Sequence, residues 1–186
     1  YEVMNQHVSF LFSSLLTDDC IARGKALLDG GVRYLGGTNE TYGNINTSDS
    51  LWVIRDLVFN QKKYTLRQLN DAMLANFNGY EALRKDCLNC DKYGNDLETA
   101  DTMANDLYEF VAKGVRDRGI AIGMQYFLIV ISNNQLNTEW GNRTAASPDG
   151  RLSCMYMNPA NNPQGGANKS GPTAMLNSLA KLDAKY

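Results

Sequence analysis

The most apolar run in the chain extends from Tyr126 to Ile131 and turns polar over residues 132–135, Ser-Asn-Asn-Gln. A short apolar run without alternation, rich in β-branched and aromatic residues, is typical of a strand that is buried on both faces. In α/β folds, ligands bind beyond the carboxyl ends of the strands. We therefore expect the polar residues after this run to belong to a ligand-binding loop.

Apolar residues at spacings of three and four predict helices over most of the remaining chain. We place these helices at about 3–28, 49–58, 66–78, 81–88, 97–113 and 172–182. Ser48 and Asp49 are predicted to cap the second helix, and Thr65 begins a capping box for the third. Gly114 is the predicted end of the fifth helix, and Pro172 lies in the first turn of the last one, where proline is tolerated.

Residues 32–35 and 154–158 predict two further short strands, so the chain is expected to be a helix-rich α/β segment. Strands this few and this short can hardly close a sheet on their own, which suggests that partners are missing. We see no clear domain boundary, and residues 1–186 are treated as a single segment.

Composition narrows the function classes. The chain is 44% hydrophobic, and its net charge of -2 suggests neither nucleic acid nor an anionic membrane surface as a partner. No apolar run approaches the roughly 20 residues of a membrane span. The chain starts without the basic region of a signal peptide and without an initiator methionine, which indicates a segment excised from within a longer sequence. The four cysteines do not resemble a disulfide framework, so a reducing cytoplasm is the expected location.

The candidate catalytic side chains are few. Cys87 and Cys90 form a lone C-x-x-C without the second pair of a zinc site, and we interpret them as small apolar groups near a helix end rather than as a metal or redox centre. His7 is the single histidine and has no partner pattern, so an ordinary packed or surface histidine is favoured over a catalytic base. A Ser–His–Asp triad is not expected, because the sequence has no G-x-S-x-G motif and only one histidine.

Two loops carry the remaining polar chemistry. The Gly/Asn/Thr loop at 36–47 contains one carboxylate, Glu40, and is either a site-lining loop or a plain solvated one. Asp149 and Arg151 flank Gly150 in a turn, and we favour a structural clasp over catalysis for this pair.

An ordered set of motifs extends this interpretation. It consists of Asp18-Asp19-Cys20-Ile21, Gly30-Gly31-x-x-Tyr34, Asp49-Ser50-Leu51, Leu57-Val58-Phe59, Lys92-Tyr93-Gly94-Asn95-Asp96, Ser147-Pro148-Asp149-Gly150-Arg151, Gly171-Pro172-Thr173-Ala174 and Asn177-Ser178-Leu179-Ala180-Lys181-Leu182-Asp183. From about Phe10 to Asp183 the chain resembles the glycyl radical enzymes of the pyruvate formate-lyase and glycerol dehydratase type. The resemblance implies a partial segment of a ten-stranded α/β barrel, incomplete as a domain.

The resemblance also implies an activity for a longer parent protein. Such enzymes carry a thiyl-forming cysteine on one loop and a radical-storing glycine on another, and a separate S-adenosylmethionine-dependent iron–sulfur activase installs the radical. They act as lyases, dehydratases or decarboxylases on small metabolites. This chain matches the stretch between the two loops and contains neither, so we expect no catalytic residue, no bound cofactor and no radical activity from it alone.

The implied partners are the remainder of the barrel, in the same or another chain, the activase and a small oxygenated substrate. An exposed barrel segment should also self-associate. The alternative is a free-standing, degenerate domain that serves as a binding or interaction module. A third class, a metal-dependent hydrolase, is not favoured, because the sequence lacks a set of metal-ligating residues.

The resemblance places the loop from Tyr34 to Asn44 near the substrate, with Glu40 where the family often has glutamine. A buried carboxylate there would bind a polar substrate, or act as an acid or base with a raised pKa. The expected substrate-binding residues are Tyr34, Asn39, Glu40, Asn133 and Asn134. Asp149 and Arg151 are carried over as structural residues.

Overall fold

The computed structural model describes residues 2–8, 10–38, 40–124, 126–128 and 136–183. Within these residues the chain forms nine α-helices, two three-residue strands and two π-helical segments. The helices are α1 (Glu2–His7), α2 (Leu11–Leu16), α3 (Cys20–Arg23), α4 (Asn44–Val53), α5 (Leu66–Leu74), α6 (Glu81–Asn89), α7 (Glu98–Ala121), α8 (Leu136–Asn142) and α9 (Gly171–Ala180). The strands are β1 (Gly36–Thr38) and β2 (Tyr126–Leu128), and the π-helical segments are Leu27–Gly31 and Ile54–Asn60.

The chain divides into two compact units. The first contains residues 1–39 and 114–128, and the second contains residues 40–113 and 129–186. In the part of the chain that is described, no helix combines the length and apolar character needed to cross a membrane.

In the first unit, the single helix predicted at 3–28 is replaced by three short helices and a π-helical turn. Asp19 and Gly24 adopt left-handed backbone conformations, with φ of 72° and 60°, which interrupt a right-handed helix on either side of α3. The predicted burial is also wrong for most of the apolar stripe, since Phe12 and Leu16 are 76% and 73% exposed.

The two strands of the first unit are parallel, with Gly36 paired to Tyr126 and Thr38 to Leu128. The sequence predicted a strand at 32–35, whereas the strand in the structure is β1, which begins one residue after that stretch, at Gly36. The strand predicted at 126–131 is confirmed over β2, and residues 129–135 lie outside the described part of the chain.

The second unit has two hydrophobic clusters. One is formed by Val53, Leu57, Leu69, Ala72, Phe77, Leu83 and Cys87. The other is formed by Ile45, Tyr93, Ala104 and Leu182. The predicted capping box is confirmed, because Thr65 Oγ1 accepts a hydrogen bond from Gln68 N and the Gln68 side chain accepts one from Thr65 N.

Two predicted helix boundaries are wrong. Helix α4 begins at Asn44, so Ser48 and Asp49 are buried inside it rather than capping it, and Ser48 Oγ donates to the carbonyl of Ile45 within the helix. Helix α7 continues through Gly114 to Ala121. A glycine inside a helix costs about 1 kcal/mol relative to alanine, which a long helix readily absorbs.

The strand predicted at 154–158 does not form. Cys154 has a φ of 64°, which interrupts extended backbone, and side chains satisfy the backbone that follows. Asn46 and Asn158 bond each other reciprocally, since each backbone N–H donates to the other's Oδ1, at 3.1 and 2.8 Å. Asn137 Nδ2 donates to the carbonyl of Met157 at 2.8 Å. Asparagine side chains thus replace a neighbouring strand.

Candidate active-site wall

The parallel pairing fixes where the chain leaves β1 and β2. Thr38 is paired with Leu128, so both strands end at the same edge, and the chain continues from there into residues 39–40 and 129–135. Carboxyl ends of parallel strands are where α/β folds gather binding groups. Of the residues predicted to lie there, Asn39, Asn133 and Asn134 fall outside the described part of the chain.

Glu40 is exposed in the structure, so the burial that the sequence analysis expected for it is wrong for this chain. The Tyr42 hydroxyl donates a short hydrogen bond to Glu40 Oε2. This bond is the largest of three causes that raise the pKa of Tyr42; the others are desolvation and the charge of Glu40. The phenol therefore stays a hydrogen-bond donor at neutral pH. The Tyr42 phenol thus helps to orient the Glu40 carboxylate, and the second oxygen, Oε1, has no hydrogen-bond partner among the described residues.

An apolar cavity of about 190 Å³ adjoins this loop within the second unit. Its wall includes Thr41, Tyr42, Asn44, Ile45, Leu107 and Tyr108. Sequence reasoning missed the link between Tyr42 and Glu40. The signal was the i, i+2 spacing of a carboxylate and a phenol in a glycine-bounded loop. Tyr34, in the first unit, is 68% exposed.

Arg151 lies in a cage of backbone carbonyls and is 4% exposed. Its Nη1 donates to the carbonyls of Leu152 and Met155 at 3.2 and 2.8 Å, and its Nη2 donates to the carbonyl of Ala145. Its Nε donates to Ser147 Oγ at 3.2 Å. Burial lowers the pKa of Arg151, and the nearby carboxylate of Asp149 opposes that shift.

Asp149 is also 4% exposed and joins the same turn to α4. Its Oδ2 accepts from Asn46 Nδ2 at 2.6 Å, and its Oδ1 accepts from Ser147 Oγ at 2.5 Å. Its backbone N–H donates to Ser50 Oγ at 3.2 Å. These bonds connect residues about a hundred positions apart in the sequence.

Cys87 and Cys90 are not activated as nucleophiles or as metal ligands. Cys87 is fully buried in the first hydrophobic cluster of the second unit, and Cys90 packs against it. Burial is the main cause that raises the pKa of Cys87 to about 12 and that of Cys90 to about 11. Both groups therefore remain thiols at neutral pH. Among the described residues, no three His, Cys, Asp or Glu side chains come together as a metal site, and His7 lies exposed at the end of α1.

Comparison with known proteins assigns this arrangement to a family. Residues 1–136 match the pyruvate formate lyase-like family. A trans-4-hydroxy-L-proline dehydratase from Clostridioides difficile is 33% identical over 96% of this chain and 23% of its own length. The chain therefore spans about a quarter of the relatives that it matches. These relatives include dehydratases, a sulfite-lyase and decarboxylase subunits.

Solved structures agree with the sequence match. The glycerol-bound B12-independent glycerol dehydratase from Clostridium butyricum is 30% identical, with a TM-score of 0.88 over 97% of this chain and 23% of that one. A glycyl radical enzyme from Archaeoglobus fulgidus is 32% identical, with a TM-score of 0.82 over 92% of this chain and 22% of that one. The chain belongs to the pyruvate formate lyase-like family, and the homologues that establish this are glycyl radical enzymes.

Proposed function

We propose that this chain is part of a glycyl radical enzyme that acts as a lyase, dehydratase or decarboxylase on a small oxygenated metabolite. The range of its relatives supports the reaction class, and the share of their length that it spans makes the activity a property of a larger assembly. In this proposal the chain forms part of the wall of a ten-stranded α/β barrel. The relatives give no support to the alternative of a free-standing binding module.

The observation that carries the proposal is the common edge at which β1 and β2 end. The loop after β1 presents a carboxylate, Glu40, whose orientation is set by Tyr42. We infer that Tyr34, Asn39, Glu40, Asn133 and Asn134 line the substrate site. Carboxylate and amide groups bind the hydroxyl groups of a small polar substrate well, because they supply both acceptors and donors.

The radical chemistry lies outside these residues. In the proposal, a separate S-adenosylmethionine-dependent iron–sulfur activase installs a glycyl radical elsewhere in the protein, and the residues of this chain bind and orient the substrate. Asp149 and Arg151 act structurally, because the guanidinium donates its hydrogen bonds to backbone carbonyls and to Ser147.

The test uses the protein as its gene encodes it, activated under anoxic conditions and screened with small diols, hydroxyprolines and hydroxysulfonates. With the substrate found, Glu40→Ala should lower kcat/KM roughly 10- to 100-fold, the loss expected for a hydrogen bond to a charged group. Glu40→Gln should retain more activity than Glu40→Ala, since the amide still bonds the substrate.

Glu98→Gln is the matched control, because Glu98 is an 83% exposed carboxylate in the same unit. It should leave kcat/KM unchanged. Equal activity of Glu40→Ala and the control would contradict a substrate-lining role for the loop. Failure of the wild-type protein to turn over any of these compounds after radical installation would contradict the proposed reaction class.

A further inference from the structure

A second cavity, of about 200 Å³, lies in the second unit between α4, α6 and the loops at 149–151 and 164–169. It shares no lining residue with the apolar cavity beside Glu40. At about 30 Å³ per molecule in liquid water, its volume corresponds to roughly seven waters, enough for a small polyatomic ion. Six of its lining residues carry a charged side chain, whereas no charged residue lines the apolar cavity.

Asp49 on α4 lines this cavity and is 1% exposed. Its Oδ1 accepts from the backbone N–H of Tyr93 at 2.9 Å. Its Oδ2 has no hydrogen-bond partner among the described residues. A buried carboxylate oxygen without a partner is costly and rare, so this atom indicates a group that the protein chain does not itself supply.

The other charges of the wall are mostly positive. Four cations line the cavity, against the two carboxylates of Asp49 and Asp149: they are Arg84, Lys92, Arg151 and Lys169. The cavity therefore has an excess of two positive charges when all six groups are ionised. Such an excess favours an anionic occupant.

Two of these cations keep donors for a ligand. Lys92 is 6% exposed, and its Nζ donates to the carbonyls of Cys87 and Cys90 at 2.5 and 3.1 Å, which leaves one of its three N–H groups. Arg84 Nε donates to the carbonyl of Gly150 at 2.9 Å, and its Nη groups have no acceptor among the described residues. Lys169, which is exposed and also lines the cavity, adds a third donor.

We propose that this cavity binds a small oxyanion of the phosphate class, either free or as a monoester. Oxygens of the anion accept from Lys92, Arg84 and Lys169, and one hydrogen lies between the anion and Asp49 Oδ2. Hydrogenphosphate supplies that hydrogen itself. A fully ionised anion such as sulfate needs it to come from a protonated Asp49.

The shared hydrogen makes binding depend on pH. Burial raises the pKa of Asp49 to about 7; the Tyr93 backbone bond and Lys92 lower it, and Asp149 and Asp101 raise it. Asp49 therefore loses its proton as the pH passes through about 7. A sulfate ion carries no proton at that pH and cannot replace the one that Asp49 loses. Sulfate binding should weaken as the pH rises from 6 to 8.

The experiment is calorimetric titration of the protein as its gene encodes it with inorganic phosphate, methyl phosphate and sulfate, at constant ionic strength. We expect saturable binding at one site, with a Kd below about 10 mM. Arg84→Gln and Lys169→Gln should each weaken phosphate binding roughly 10-fold. Tighter binding of methyl phosphate would identify a monoester as the occupant, and tighter binding of inorganic phosphate a free ion.

Lys85→Gln is the control, because Lys85 is exposed on the same helix as Arg84 and does not line the cavity. Asp49→Asn tests the role of the Asp49 proton, since the asparagine amide remains a hydrogen-bond donor at every pH. This variant should bind sulfate equally at pH 6 and 8, whereas wild type loses affinity. Absence of saturable binding, or binding that neither Lys169→Gln nor Arg84→Gln weakens relative to Lys85→Gln, would overturn the proposal.

Discussion

The two units of this chain use similar apolar residues in opposite ways. In the second unit, α4, α5 and α6 contribute side chains to one hydrophobic cluster, and buried asparagines and aspartates join distant loops. In the first unit, the apolar side chains of α1 and α2 are largely exposed. Hydrophobic periodicity thus predicts which face of a helix is buried in the folded protein. The surface that buries this face need not belong to the same segment of the protein.

This difference agrees with the length comparison. A segment that spans 23% of its relatives should contain some elements whose packing partners lie elsewhere, and the exposed stripe of the first unit has that character. The second unit, by contrast, holds two clusters and its long-range polar bonds within its own residues. Four sets of substitutions can break or sharpen the contrast.

The largest expected effect is on the polar interior of the second unit. Arg151→Ala leaves the carbonyls of Ala145 and Met155 without their donor and the Asp149 carboxylate without its nearby cation. We expect a loss of about 3–5 kcal/mol in the free energy of unfolding, measured by urea denaturation. Arg143→Ala, which removes an exposed arginine paired with Glu139, should change it by less than about 1 kcal/mol. Equal effects would show that the cage contributes little.

A matched leucine pair tests the contrast between the units directly. Leu69 in α5 is 3% exposed, and Leu16 in α2 is 73% exposed. Leu69→Ala should cost about 2–5 kcal/mol in the free energy of unfolding, because it leaves a cavity in the core. Leu16→Ala should stay within about 0.5 kcal/mol and reduce self-association in sedimentation velocity. A large loss of stability from Leu16→Ala would mean that the first unit buries its stripe within this chain.

The pH dependence of stability examines the polar interior further. The folded-state pKa of Asp49 is raised to about 7 from an ordinary value of 3.8, so the folded state holds a proton that the unfolded chain releases. Stability from this group is present below the unfolded pKa and is lost as the pH rises toward 7. The stability of Asp49→Asn relative to wild type should therefore increase by up to about 1.4 kcal/mol per pH unit between roughly pH 4 and 7. A difference that stays constant with pH would contradict this.

The smallest effect concerns helix ends. Helix α5 has a complete capping box at Thr65, whereas α2 begins after Phe10 without a side-chain cap. Thr65→Ala should cost about 1 kcal/mol in the free energy of unfolding, because the first-turn N–H of Gln68 loses its acceptor. Thr65→Ser retains the hydroxyl and should recover most of that loss. If Thr65→Ala and Thr65→Ser lose the same amount, the cap is not the source of the effect.

Local signals predicted the elements whose causes are local. The capping box at Thr65, the helix at 81–88 and the first-turn position of Pro172 each depend on neighbours within a turn, and each is confirmed. The errors have long-range causes. Ser48 and Asp49 look like caps in the sequence, yet Asp49 is buried because it bonds the backbone of Tyr93, far away along the chain.

The candidate site divides in the same way. The segments at 34–44 and 147–151 stand out in the sequence because their composition is unusual within the chain, and the assignment of 34–44 to the substrate site stays a prediction. The exposure of Glu40 could not be predicted, since burial depends on surfaces outside the segment. The cavity at Asp49 was also missed, because its wall brings together α4, α6 and loops more than sixty residues further along the chain.

The most direct test of the proposed function is a crystal structure of the protein as its gene encodes it, with its substrate bound. We predict that a carboxylate oxygen of Glu40 lies within hydrogen-bond distance of a polar atom of the substrate, about 2.6–3.2 Å away. Asn133 or Asn134 should contact the same molecule. A substrate bound with none of these side chains within roughly 4 Å would contradict the claim that this chain forms the wall of the active site.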